Sequence, residues 1–237
     1  MLVNIRNANR VETIFFDLDH TLWDFEKNSY LTFKSIFREY NFPFSLEEFL
    51  RFYIPINHIY WKSYSQDKIS KKKLKTIRLI KTFQSLKYDF KLDLINEISD
   101  EYIRRLPLKK KLFAGALDLI KFLHSKYKLY IVTNGFEEVQ LKKIKNSGLY
   151  PYFETIITSE MVGKKKPHPK IFRFALSLAN QKPEQCLMIG DNTKADILGA
   201  LRVNIRAIHF NSNKEPNHSF CPIVYNHKEL YEMFNSK

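Results

Sequence analysis

Cysteine is nearly missing from this chain: two in 237 residues, Cys186 and Cys221, far apart and without metal-ligand spacing. That excludes a disulfide framework and a thiolate zinc site, and both are expected to be free thiols. Long apolar runs are missing as well. No stretch approaches the length of a membrane span, and the N-terminal "MLVNIRNANRVET" lacks the apolar segment of a signal peptide, so a cytoplasmic protein is expected. There is no internal repeat and no low-complexity tract. Acidic residues are in deficit, 25 against 39 Lys and Arg, for a formal net charge of +14. Such a balance invites a nucleic-acid reading. Against it, the lysines are spread along the chain, the densest clusters ("SKKKLK" from Ser70, "LKKKL" from Leu108) are short, and no nucleic-acid module is visible. An anionic small substrate, set on a composition rich in Lys, Asn, Ile, Phe and Tyr, accounts for the charge better.

What is present is a globular composition, 44% hydrophobic and 27% charged, long enough for one large domain or a core with an inserted module. The stretch "ETIFFDLD" reads as a strand apolar enough to be buried on both faces. From Asp24 to about Leu106 the pattern turns wholly helical. "NSYLTFKSIFREY" sets Tyr30, Phe33, Phe37 and Tyr40 on one face. "SLEEFLRFYIPINHIYW" opens with a capping box of Ser45 and Glu48, and Pro55 should kink or divide that helix. Further helices are expected around Leu74, Ile77, Ile80 and Phe83, and around Leu92, Ile95, Ile98 and Tyr102. This makes a module of four to five helices over residues 24–107, inserted into an α/β core formed by 1–23 and 108–237.

After Pro107 helix and strand alternate: "FAGALDLIKFLHSKY" helix, "KLYIVTN" strand, "EEVQLKKIKNSG" helix closing at Gly148, "ETIITS" strand, "PKIFRFALSLAN" helix, "QCLMIGD" strand, "TKADILGALR" helix and "NIRAIHF" strand. "PIVY" and "HKELYEMF" follow as an edge strand and a last helix. The alternation predicts a Rossmann-like, doubly wound parallel sheet. Ligands bind such sheets beyond the carboxyl ends of the strands, where Asp17 and Asp19, Thr133 and Asn134, and Asp191 would converge. Two carboxylates, Asp17 and Asp191, suit a hard cation such as magnesium. A hydroxyl at Thr133, the amides of Asn134 and Gly135, and Lys166 held before Pro167 suit an anion. Together they describe a phosphoryl site. Each feature has a plainer reading when taken alone: an acidic turn, a strand-to-turn junction, a solvated run at Lys164 and Lys165, a helix-start carboxylate at Asp196. Trp23, Phe25, Tyr60 and Trp61 are read as core or domain-interface aromatics.

The motifs "DLDHT", "IVTNG", "KKKPHPKIF" and "GDNTKAD", in that order, resemble the four signature motifs of the haloacid dehalogenase superfamily, from Val11 to Phe210. DxDxT alone would arise by accident in roughly one chain in thirty of this length, so the weight rests on the ordered set. The resemblance implies a nucleophile at Asp17 that becomes an aspartyl phosphate, and a general acid and base at Asp19. It implies magnesium held by the Asp17 carboxylate, the Asp19 backbone carbonyl and Asp191. Thr133 and Asn134 would grip the phosphoryl, Lys166 would screen its charge, and Asp196 would stand behind the ligands as a partner or a water-mediated contact. Dehalogenases of the superfamily lack an acid at the place of Asp19, so Asp19 favours phosphate ester hydrolysis. His20 replaces the glycine of the commonest DxDGT form, and its side chain is expected to point away from the site.

The helical insert resembles the cap of family members and implies closure over the site, hinged at residues 24–28 and 107–111. "DLDHTLWDFEKNS" and "MVGKKKPHPKIF" are most similar to the pyrimidine 5′-nucleotidase branch. That implies a nucleoside monophosphate as the partner. Separately, no membrane partner is expected, nucleic acid is disfavoured, and a monomer or weak homodimer is expected. A phosphoglycolate or sugar-phosphate phosphatase, a phosphomutase and a non-enzymatic nucleic-acid-binding module are the other readings.

Overall fold

A computed structural model describes residues 11–235. The expectation about the N-terminal segment falls mainly on residues outside that range. In chain order the elements are β1 (Thr13–Phe16), helices α1 (Phe25–Phe37), α2 (Leu46–Ser65), α3 (Lys71–Ser85) and α4 (Leu92–Arg105), then α5 (Ala116–His124), β2 (Lys128–Thr133), α6 (Glu137–Asn146), β3 (Thr155–Thr158), α7 (Ser159–Val162), α8 (Pro169–Ala179), β4 (Cys186–Gly190), a π-helical turn (Thr193–Ile197), α9 (Leu198–Leu201), β5 (Arg206–Phe210), β6 (Ile223–Val224) and α10 (His227–Asn235). Two compact units emerge: one runs up to Phe25 and resumes at Lys110, the other is Glu26–Lys109.

The first unit is a six-stranded sheet in the order β3-β2-β1-β4-β5-β6, with every pair parallel. This is the Rossmann-like α/β fold expected from the alternation. Its central strands are mostly apolar because both faces are covered: every residue of β1 and β4 is buried. On one face Phe15, Val132, Ile157 and Met188 pack with Ile171, Phe172 and Ala175 of α8; each of these side chains larger than alanine contributes about 1.5–3 kcal/mol on burial. The strand order reverses at β1, between β2 and β4, which opens a crevice beyond the carboxyl ends of these strands. Phe16 pairs with both Ile131 and Ile189, and the Asp17 amide donates to the Ile189 carbonyl at 2.9 Å. Register therefore delivers Asp17 to the middle of that crevice.

The second unit contains four helices and no strand. Phe33 is its fully buried centre, with the rings of Tyr53 and Tyr102 at 4.6 Å and Phe49 at 4.8 Å. The capping box at Ser45 and Glu48 forms. Pro55 does not divide its helix: α2 runs unbroken from Leu46 to Ser65. One lost backbone bond is outweighed there by the buried positions Phe49, Tyr53, Asn57 and Tyr64 along the same helix. Tyr40 falls past the end of α1, and Leu92, at the first turn of α4, is exposed. The expected helix at "TKADILGALR" is a π-helical turn followed by the short α9. Of the singled-out aromatics, Trp23 and Phe25 are buried, whereas Tyr60 and Trp61 are only half-buried.

Candidate active site

The chain turns sharply after β1, with the Leu22 and Trp23 amides both donating to the Leu18 carbonyl at 2.9 Å. The turn needs a left-handed residue, and His20 supplies it at φ 64°. That is a conformation glycine adopts without strain. The imidazole rests by the Phe25 ring, centroids 5.0 Å apart, while the His20 carbonyl accepts from Ser212 Oγ at 2.6 Å.

Lys166 is the hub of the site. It is buried, and its Nζ lies 2.6 Å from Asp17 Oδ1, from the Val132 carbonyl and from Asp196 Oδ1. Its backbone is tied to the end of β2 by a reciprocal pair: the Lys166 amide donates to Asn134 Oδ1 at 2.8 Å, and Asn134 Nδ2 donates to the Lys166 carbonyl at 3.0 Å. Asn134 thus aligns the lysine through its side chain, a role its sequence position did not announce. Thr133 Oγ1 accepts from the Gly135 amide at 3.0 Å.

Asp17, Asp191 and Asp196 are all buried, and one carboxylate oxygen from each lies within 4.8 Å of the others. Burial, then the nearby Asp196 charge, pushes Asp17 up to about 7 despite Lys166 beside it. Burial and the Asp17 and Asp196 charges push Asp191 well above the usual carboxylate range. Burial alone would lower the Lys166 ammonium, but the Asp17 and Asp196 carboxylates outweigh it and raise the ammonium above its ordinary value. With all three carboxylates ionised against one ammonium, two negative charges would remain at a buried site, and that is the charge a divalent cation neutralises. The oxygen-only donor set is also what a hard cation prefers. Asp196 stands closer to the other two carboxylates than a partner placed behind the ligands, and it reaches them because Gly190 has no side chain. A Cβ there would sit 2.4 Å from Asp196 Oδ2. Asp191 is braced in turn: Oδ2 accepts from Asn213 Nδ2 at 2.6 Å, its carbonyl meets His209 Nε2 at 2.8 Å, and Thr21 Oγ1 lies 3.5 Å from Oδ1.

Asp19 lies apart from this carboxylate cluster. Its Oδ1 is 2.6 Å from Lys143 Nζ, and its Oδ2 accepts from Gln140 Nε2 at 2.8 Å. Gln140, Lys143 and Asn213 were not visible as site residues in the sequence. Gln140 and Lys143 did leave a trace, since they occupy inward positions of α6 beside Val139 and Ile144, where an amphipathic helix would carry apolar side chains. Asn213 lies in an irregular segment after β5 and left none.

The sequence model of the haloacid dehalogenase-like hydrolases matches residues 11–204. The chain belongs to this family. It is similar to the HAD-hydrolase YfnB of Bacillus subtilis, at 30% identity over 95% of both chains. A solved structure of YfnB bound to magnesium superposes with a TM-score of 0.85 at 29% identity, over 95% of this chain and 99% of that one. Pyrimidine 5′-nucleotidase PynA of Streptococcus pneumoniae is 29% identical over 90% of this chain and 89% of its own. A glyceraldehyde 3-phosphate phosphatase of Pyrococcus furiosus is 30% identical over 86% and 82%. Among the described residues no helix is long and apolar enough to cross a membrane.

Proposed function

We propose that this hydrolase is a magnesium-dependent phosphatase that cleaves nucleoside 5′-monophosphates, pyrimidine nucleotides foremost, in the cytoplasm. The observation that carries the phosphatase reading is the pairing of a buried nucleophile candidate, Asp17, with a separately held second carboxylate, Asp19, two residues on. In the first half-reaction an Asp17 oxygen attacks phosphorus, the bond to the leaving oxygen breaks, and that oxygen takes a proton from Asp19. In the second, the Asp19 carboxylate removes a proton from water, the water oxygen attacks phosphorus, and the acyl phosphate bond breaks. Inorganic phosphate leaves and Asp17 is restored. Lys166 orients Asp17 and offsets charge on the transferring group, with Thr133 and the backbone after it as donors to phosphoryl oxygens. Asp17, the Asp19 backbone carbonyl and Asp191 would hold magnesium, with the Asp196 carboxylate beside them, and the metal's chemistry when bound is to neutralise the carboxylates and the phosphoryl oxygens.

The nucleotide substrate is supported by the likeness to PynA and by the first and third motifs. The likeness to a glyceraldehyde 3-phosphate phosphatase supports a sugar-phosphate substrate as the second reading. Phosphate release from a panel of nucleoside monophosphates, phosphoglycolate and sugar phosphates, with and without magnesium, separates them. Release led by pyrimidine nucleotides and dependent on magnesium is expected. Equal or faster release from phosphoglycolate or a sugar phosphate would discard the nucleotide.

A further inference from the structure

Asp19 is gripped at both oxygens by one face of α6. Gln140 and Lys143, one helical turn apart, are each almost fully buried, and each takes a different oxygen of the carboxylate, at 2.8 and 2.6 Å. The same Gln140 Nε2 lies 3.2 Å from Thr133 Oγ1, so one amide joins the second carboxylate of the first motif to the hydroxyl of the second. The amide lies directly over Gly135, where an added Cβ would sit 1.5 Å from Nε2. The Lys143 ammonium is also enclosed by aromatic faces, 4.1 Å from the Trp23 ring centroid and 5.3 Å from that of Phe25. Two buried hydrogen-bond donors, one of them charged, are costly to place inside a helix–sheet interface unless they meet an acceptor. Here the acceptor is Asp19.

We propose that Gln140 and Lys143 are positioning residues for proton transfer, holding the Asp19 carboxyl in the one orientation from which it reaches the leaving oxygen. Neither touches the transferring phosphoryl. Gln140 ties the carboxyl to the phosphoryl-binding end of β2, and Lys143 anchors it to the wall formed by Trp23 and Phe25. The inference rests on the phosphatase reading with Asp19 as proton donor, and adds to it the two side chains that aim the donor.

Leaving-group chemistry separates aiming from mere support. An alkoxide leaving from a nucleoside monophosphate needs a proton in the transition state, whereas p-nitrophenolate leaves with little help. The ratio kcat/KM reports the steps up to cleavage of the ester bond. In Lys143→Met and Gln140→Met, kcat/KM should fall at least about tenfold further on a nucleoside monophosphate than on p-nitrophenyl phosphate, and Asp19→Asn should show the same inequality more strongly. Lys143→Arg should recover part of the alkyl-ester activity. Gln140→Met leaves no buried charge without a partner, so it carries the test if Lys143→Met does not fold. Equal losses on both esters in the α6 variants, with an unequal loss in Asp19→Asn, would overturn the inference and leave the phosphatase reading standing. Equal losses in Asp19→Asn itself would overturn the assignment of the proton donor, and this inference with it.

Discussion

The two units of the chain bury polarity in opposite ways. In the α/β unit five aspartate and lysine side chains, Asp17, Lys143, Lys166, Asp191 and Asp196, are buried beside the carboxyl ends of the central strands. In the helical unit one arginine is buried: Arg78 donates to Asn57 Oδ1 at 2.9 Å, and its guanidinium lies 5.0 Å from the Tyr102 ring centroid. The first arrangement leaves like charges crowded together in the absence of a cation; the second sets a single charge against an amide oxygen and aromatic faces. The α/β unit therefore gives up stability at one place to create a site, while the helical unit spends its buried volume on packing around Phe33.

The largest effect that would test this contrast is chemical. Asp17→Asn is expected to lower turnover by on the order of 10⁴-fold, measured as phosphate release. At pH 8 without metal the same variant should melt above the wild type, because it removes one charge from the crowded cluster. A lower melting temperature would contradict the claim that the cluster costs stability. Phe33→Ala comes next, and should destabilise by about 3–5 kcal/mol in denaturant unfolding, with the cost falling on packing alone.

A pH series sharpens the comparison further. The folded value of Asp17 is raised to about 7 from an ordinary 3.8, so its contribution to stability is full below the ordinary value and is lost progressively as pH rises from there to about 7. The metal-free protein should lose up to about 4 kcal/mol across that window. Magnesium should restore more stability at pH 8 than at pH 6, because metal binding requires the ionised carboxylates. His227, lowered to about 4 by burial, acts in the other direction: its contribution is lost as pH falls from about 6.5 toward 4. Melts from pH 6.5 upward therefore leave His227 out and catch only the last part of the Asp17 loss, which Asp17→Asn should remove. The smallest effect is expected from Gly190→Ala, at about 1–3 kcal/mol, with weaker magnesium binding by calorimetry as Asp196 is displaced. Unchanged affinity would remove Asp196 from the cation site.

Much of the α/β unit was legible in the sequence for a physical reason. A strand buried on both faces must be continuously apolar, so "TIFF", "LYIVT" and "CLMIG" stand out, and a polar residue directly after such a run marks a strand end in the crevice. Asp17, Thr133 and Asp191 were found in this way. Lys166 was singled out by the proline after it and by the motif order. The π-helical turn after Asn192 and the unbroken passage of α2 through Pro55 were not legible, because each depends on what packs alongside rather than on local propensity. Asp196 was read as a partner behind the ligands or a water-mediated contact, with a helix-start residue as the plainer reading, and only the proximity of Gly190 shows how it reaches the other carboxylates.

The sequence by itself determined the alternation of strand and helix, the family and the order of four short motifs, since these depend on hydrophobic period and local chemistry. The tertiary structure alone decided which side chains share a charge. It set two carboxylates on one lysine with a third beside them, and it turned Gln140 and Lys143 from positions in an amphipathic helix into the two contacts that hold Asp19. Those pairings join residues more than a hundred positions apart, where no spacing along the chain can encode a distance in space.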